Sequence, residues 1–408
     1  MNRNVHVIGA GRTDFRRNLR KEGLVLRDVI VEAGRAALAD AGVEPGEVEA
    51  GVVGNFAAGL YTRQLHLGAL LVGIDESLRG IPTLHTEAAC ASGSVAVLTA
   101  AQWISGGLHD LVLVVGAEQQ KTMSPAEGAD VLAAAADWND EKPLYGDHMM
   151  PKMFAAIADS YAARHGLPEE SLATVVLKNY AHARRNPQAQ MREAAMTLDK
   201  AVTACDANPR FAPPLKITDC SQITDGAAAV VLASDRFLRS GRALRLLGFG
   251  HTTDALRLDA KVVPEFPIAR RAAERAYAMA GVSPRDLDTA EVHDCFSITE
   301  LVAYEALGLA EAGQATAVLE SGVTTLPQAR AEVGVGERPA FSLPVNTGGG
   351  LIADGHPVGA TGVRQVVEAF RQGCGEAGDR QVDGARTCMT FNMGGSLTTN
   401  VAMIWRRT

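Results

Sequence analysis

The sequence predicts a duplicated α/β chain with an inserted cover over its middle. Three observations predict it. Short apolar runs that suit buried strands alternate with helical stretches. Much of that pattern returns at a fixed offset of 239 residues. Between about residues 118 and 219 the character changes, and the chain then runs straight back into an apolar strand.

Val5–Gly11 reads as a short buried strand ending in a glycine turn, and Leu24–Ala41 as a helix closed by Gly42. A second strand follows at Gly51–Phe56. The stretch Leu84–Ala100 then leads through Cys90 and the small residues Ala91, Ser92, Gly93 and Ser94 into a buried helix. Leu111–Gly116 is a strand apolar on both faces, which belongs inside a covered sheet. In the middle segment Met123, Trp138, Tyr145, Met149, Met150 and Met153 mix with Asp and Pro. Two helices are expected there, at Pro151–Arg164 and Glu170–Arg184, and the segment is read as covering the site. The sheet resumes at Ile223–Leu232.

The repeat is visible residue by residue. Leu246-Leu247-Gly248-Phe249-Gly250 matches Val7-Ile8-Gly9-Ala10-Gly11, and Ala280–Pro284 matches Ala41–Pro45. Each of the latter is followed by an acidic-apolar-acidic step into a strand. Gly359–Val363 matches Cys90–Ser94 at the longer offset of 269, so the second half carries about 30 extra residues before its buried helix. The halves are assigned as residues 1–240, with the inserted region at about 118–219, and 241–408. Duplication puts Cys90 and the Gly355–Gly359 turn at related positions, facing one another across a pseudo-twofold axis.

Composition narrows the function classes. The 408 residues are 47% hydrophobic and 21% charged, with 41 glycines and a net charge of −8, which disfavours a nucleic-acid binder. No apolar run reaches membrane-spanning length. The six cysteines (Cys90, Cys205, Cys220, Cys295, Cys374 and Cys388) form no CxxC pair, and the Met-Asn-Arg-Asn start has no apolar leader. A cytoplasmic protein with reduced thiols is the expectation.

Four stretches carry reactive side chains. Cys90 stands at the start of a buried helix, where unpaired N–H groups and the helix dipole favour thiolate; a structural buried cysteine is the alternative. His293 and Cys295 alternate in Glu291–Ser297, so on a regular strand they would share a face. His356 sits between Gly355 and Pro357, with no second histidine or carboxylate at metal-ligand spacing, so no metal is expected. The glycine run 348–350 lacks both a P-loop lysine and dinucleotide spacing. The fourth stretch is Thr390–Ser396.

These motifs, in this order and over nearly the full length, resemble the thiolases, and specifically the sterol-carrier-protein-2 type. The matching residues are the Cys90 helix start, His293-Asp294-Cys295-Phe296 with Glu300-Leu301 and Tyr304–Gly308, and Gly355–Gly362. The resemblance implies a five-layer αβαβα fold, a homodimer or homotetramer, coenzyme A thioesters as substrates and no bound cofactor. Thiolases commonly carry a second catalytic cysteine in a Cys-x-Gly motif; here Asn392-Met393-Gly394 stands in that place, and Cys388 lies four residues too early. The resemblance therefore implies Cys295 as the second thiol. Cys90 is then the nucleophile and His356 its base, with the Cys90 and Gly394 amides as oxyanion donors and His293 with His356 at the enolate oxygen. The implied activity is acetyl-CoA C-acyltransferase chemistry in lipid metabolism, in either direction. Three other readings stay open: acetyl transfer to a carbon acid that is not a CoA thioester, a ketoacyl-synthase-like condensing enzyme, and a non-catalytic partner subunit that binds acyl-CoA.

Overall fold

The computed structural model describes residues 3–238, 241–337 and 339–408. Its first half runs β1 (His6–Arg12), α1 (Leu26–Ala41), β2 (Ala50–Gly54), β3 (Thr83–Thr86), α2 (Ser92–Ser105) and β4 (Leu111–Glu118). The inserted region contributes α3 (Pro125–Ala133), α4 (Met149–His165) and α5 (Glu169–Ala183) before β5 (Gly226–Ala233). The second half runs β6 (Leu244–Thr253), α6 (Pro267–Ala280), β7 (Thr289–Val292), α7 (Ser297–Ala306), α8 (Thr361–Cys374), β8 (Thr387–Gly394) and β9 (Thr399–Arg407).

The duplication is explicit in the strand order, β3-β2-β4-β5-β1-β6-β9-β8-β7. Read outward from the β1–β6 seam, the first half runs 1-5-4-2-3 and the second 6-9-8-7. The missing counterpart of β3 is a single parallel bridge from Ala290 to Val345. The two halves join into one hydrogen-bonded order through two antiparallel pairs, His6 with Arg245 and Val7 with Leu244. Even the helix ends repeat: α1 closes on Gly42 at φ +62° and α6 on Gly281 at φ +66°, both left-handed caps that favour glycine.

Burial divides this arrangement into layers. Helix α1 covers one face of the first half through Leu26, Val29, Ile30 and Ala33. Helices α2 and α8 fill the middle, where Val97, Leu98, Val363 and Val366 meet strands of both halves. Helix α6 and the inserted region cover the outer face of the second half. The result is the five-layer αβαβα fold. In the middle layer α2 and α8 cross backbone to backbone. A Cβ at Gly93 would stand 2.7 Å from the Gly359 carbonyl, and one at Gly362 2.2 Å from the Ser94 nitrogen. Those two positions exclude any side chain.

Several predicted boundaries shift for physical reasons. Residues 223–225, expected in a strand, leave the sheet to hold the His356 loop. Strand β7 stops at Val292, so His293 and Cys295 lie in the strand-to-helix turn and the strand alternation does not apply. Among the described residues no helix is long and apolar enough to cross a membrane.

Candidate active site

Cys90 is presented by a tight local turn. Ala89 takes φ +50°, a left-handed conformation unusual for a residue with a Cβ, and turns the chain sharply at the end of the approach from β3. The Ala91 and Ser92 amides bond to the Ala88 and Ala89 carbonyls at 3.0 and 3.1 Å. The Ser92 hydroxyl accepts from the Ala88 amide at 2.9 Å and donates to the Ala89 carbonyl at 2.6 Å. Cys90 thus precedes the cap of α2. The dipole was expected to favour thiolate, but burial outweighs it: desolvation pushes the thiol up to about 12 despite a hydrogen bond from the Gly395 amide.

The His356 loop is held from a distance. Residues Gly350–Asp354 form one wide helical turn. The Asp294 carboxylate accepts from the Leu351 amide at 2.6 Å and the Ile352 amide at 3.3 Å, and the Asn179 side chain donates to it at 2.8 Å. Arg12 clamps Asp354 with two bonds of 2.8 Å. The Thr224 hydroxyl accepts from the His356 amide at 2.9 Å, and the Gln120 side chain, turned to the orientation that satisfies both ends of its amide, donates to the His356 and Thr224 carbonyls at 2.8 Å each. Buried Glu118 accepts from the Gly359 amide at 3.0 Å and from the Phe56 amide at 3.0 Å, tying this loop to the first half.

The ring of His356 is oriented by Thr361. That hydroxyl donates to the Pro357 carbonyl at 3.2 Å, so at 2.6 Å from His356 Nδ1 it acts as acceptor. The proton is then on Nδ1, and Nε2 is left as a lone pair. Burial lowers the imidazole to about 3, so it is neutral at rest.

The second histidine stands across from the first, with ring centroids 5.2 Å apart and planes at 83°. His293 is buried and held well below the ordinary histidine range, by desolvation first and by the nearby His356 and Arg364 second. Its Nδ1 faces the Asn392 side-chain nitrogen at 3.0 Å, while its Nε2 is buried without a partner. Sequence spacing showed no cluster here. The fold nevertheless brings the Cys90 sulfur and one nitrogen each of His293 and His356 within 4.8 Å of one another. Cys295 is buried beside them with its thiol raised well above the usual range, mainly by desolvation, and its sulfur 3.9 Å from the Thr299 hydroxyl.

Cys90, Cys295 and His356 line the inner end of a cavity of about 360 Å³. Its walls are almost wholly apolar and come largely from the insertion: Pro125, Leu132, Met150, Phe154 and Phe211. Phe154 stacks on Phe296 at 4.4 Å. The inserted region does cover the site. Gly394 ends β8 paired with Thr399, and the amide that reaches the Cys90 sulfur is that of the next residue, Gly395. Cys388 is fully buried in the middle layer, its sulfur 3.6 Å from the Ala369 carbonyl, away from the cavity.

Comparison with known proteins agrees with this architecture. Residues 5–236 match the family profile "Thiolase, N-terminal domain", and residues 248–407 match "Thiolase C-terminal domain-like". The chain belongs to the thiolase family. It is 35% identical to the acetyl-CoA acetyltransferase of Methanothermobacter thermautotrophicus, across 99% of this chain and 100% of that one. It is 32% identical to sterol carrier protein 2 of Gallus gallus, across 97% of this chain and 70% of that one, and the thiolase is of the SCP2 type. Among solved structures it is similar in fold to the Ltp2-ChsH2(DUF35) aldolase (TM-score 0.82, 21% identity, 99% of this chain and 98% of that one). It is also similar to human mitochondrial 3-ketoacyl-CoA thiolase in complex with CoA (TM-score 0.72, 19% identity, 100% and 98%).

Sequence reasoning missed the groups that position this thiolase site: Asp294, Thr361, Gln120, Glu118, and the Arg12–Asp354 clamp. The available signal was the presence of ionisable residues inside otherwise apolar runs, such as Glu118 at the end of β4. Asn392 had been noticed only as the place of an absent cysteine.

Proposed function

We propose that this thiolase-type acyltransferase makes or cleaves 3-ketoacyl-CoA thioesters by Claisen chemistry through an acyl-enzyme on Cys90. The observation that carries the reading is the meeting of the Cys90 sulfur with two buried imidazoles, of which His356 lines an apolar cavity together with Cys90 and Cys295. Cys90 attacks the thioester carbonyl as its proton passes to His356 Nε2 and then to the departing coenzyme A sulfur. A thiol raised to about 12 beside an imidazole lowered to about 3 does not form an ion pair at rest. The proton therefore moves as the carbon–sulfur bond forms. The oxyanion is met by backbone amides of Cys90 and of the Gly394-Gly395 turn, a fixed donor of this kind being worth about 2.7–4 kcal/mol in the barrier. In the carbon–carbon step Cys295 takes or returns the α-proton of a second thioester, while His293 holds its enolate oxygen and His356, whose Nε2 is a lone pair, reaches that oxygen through a bridging water. The reading takes coenzyme A thioesters as both substrates, in a homodimer or homotetramer, and the apolar walls suit an acyl chain.

Denaturing mass spectrometry after incubation with a panel of acyl-CoAs tests it. Wild type should gain the mass of the accepted acyl group, and Cys90→Ala should gain none; undiminished labelling of the variant would move the nucleophile elsewhere. Cys295→Ala should still acylate yet lose about 10²–10⁴-fold in deuterium exchange at the α-carbon of acetyl-CoA, with Cys388→Ala retaining both. The reverse pattern for the two cysteines would sink the assignment of the second thiol.

A further inference from the structure

We propose that Asn392 is a positioning residue that holds His293 as its Nε2–H tautomer, opposite to His356, so that one histidine is a fixed donor and the other a fixed base. The inference rests on the function above and extends it to an otherwise silent side chain.

Asn392 is fully buried on β8, in register with Val401 of β9, so its direction is set by the ladder. Its side-chain nitrogen is 3.0 Å from His293 Nδ1. With the amide placed so that its nitrogen faces the ring, leaving Asn392 Oδ1 buried without a partner, Nδ1 is the acceptor and carries no proton. A neutral imidazole has one N–H, which must then be on Nε2. The neutral state is supported by burial and by the nearby Arg364 guanidinium. Other charged groups share the environment: Arg364 is itself paired with Glu291 and lies 3.6 Å from Asp354, while Asp294 is engaged by amides of the 350–354 turn. A buried N–H left without a partner costs roughly 1–3 kcal/mol. Nε2 of His293 is left so in the absence of substrate, in a group within 4.8 Å of the nucleophile.

His356 receives the opposite instruction. Its Nδ1–H donates to the Thr361 hydroxyl, which itself donates to the Pro357 carbonyl. Two imidazoles at 83° thus present unlike faces to one reacting oxygen and one thiol proton. The polarity is set by one amide and one hydroxyl. A cysteine at position 392 could not donate with the same reach or strength.

The test uses the full chain labelled with ¹⁵N-histidine. Long-range proton–nitrogen correlation reads each tautomer, with His293→Gln and His356→Gln spectra assigning the signals. Wild type should show Nε2–H for His293 and Nδ1–H for His356. Asn392→Asp keeps the shape but can only accept when ionised, so His293 should switch to Nδ1–H or become charged. The loss should fall on α-proton exchange of acetyl-CoA, about 10²–10³-fold, with Cys90 still acylated. Wild-type His293 observed as Nδ1–H would overturn the proposal, and so would exchange that persists after the tautomer has switched. If the Asp variant fails to fold, the wild-type spectrum alone decides. Wild type with His293 as Nε2–H but no acyl group on Cys90 would retire the function and leave the tautomer assignment standing.

Discussion

Two turns occupy equivalent places in the duplicated halves, one before α2 and one before α8, and they are built in different ways. The turn that carries Cys90 is held mostly by its own residues: apart from the Gly395 amide on the Cys90 sulfur, the bonds described in it span four residues or fewer, from Ala88 to Ser92. The turn that carries His356 is held by Arg12, Glu118, Gln120, Thr224 and Asp294, none of them near it in the chain. The nucleophile is therefore a local property of its sequence. The base is a property of the assembled fold, and the two can be disturbed separately.

The largest separation should come from the long-range turn. Arg12 and Asp354 are almost fully buried, and removing Arg12 leaves the Asp354 carboxylate to the Asn186 amide at 3.2 Å and to Arg364 at 3.6 Å, which is already paired with Glu291. Arg12→Ala should destabilise the protein by about 3–5 kcal/mol in urea unfolding. It should also slow acylation by displacing His356. Wild-type stability would show that the clamp is dispensable and the contrast between the turns overstated.

A smaller effect is expected on the local side. Ser92→Ala strips the Ala88 amide of its acceptor and should cost about 1–3 kcal/mol. The acylation rate should fall while α-proton exchange on already acylated enzyme is spared. Equal loss in both steps would mean that the turn does not act on Cys90 alone.

The smallest effect is a change in acid sensitivity. His182, His293 and His356 all have folded pKa values below that of the unfolded chain. Through these three groups the unfolded chain binds more protons below about 6.5, and their contribution to stability is lost as the pH drops from there towards about 3 for His356, while Glu118, Glu291 and Asp294, which burial raises to about 7, 7 and 8, contribute in the opposite sense. His356→Asn removes one such proton and should flatten the slope by up to about 1.4 kcal/mol per pH unit, read from urea midpoints on the acid side of 6.5. An unaltered slope would mean that His356 is not held neutral.

The same contrast explains what could be read from the chain. The Cys90 turn was legible because its small residues and the apolar helix after it lie side by side. The duplication was legible because glycine, proline and acidic steps recur in order, and the His356 motif because Gly and Pro flank it. The pairing of His293 with Asn392 spans 99 residues and that of Arg12 with Asp354 spans 342, and neither side chain announces its partner. The thiolate expectation failed for a related reason. Helix position is visible in a sequence, whereas the cover that removes water from Cys90 comes from the insertion.

The seam between the halves also constrains how the chain is made. Among the described residues strand β1 pairs with β5 and β6 alone, so during synthesis it waits for residue 226 before it gains a neighbour in the sheet. At about 5–20 residues per second that wait is on the order of ten to forty seconds. During it an apolar segment, Val5–Ala10, stands as an unpaired edge. The centre of the finished sheet is thus closed only after β2, β3 and β4, which precede β5 in the chain, have been made.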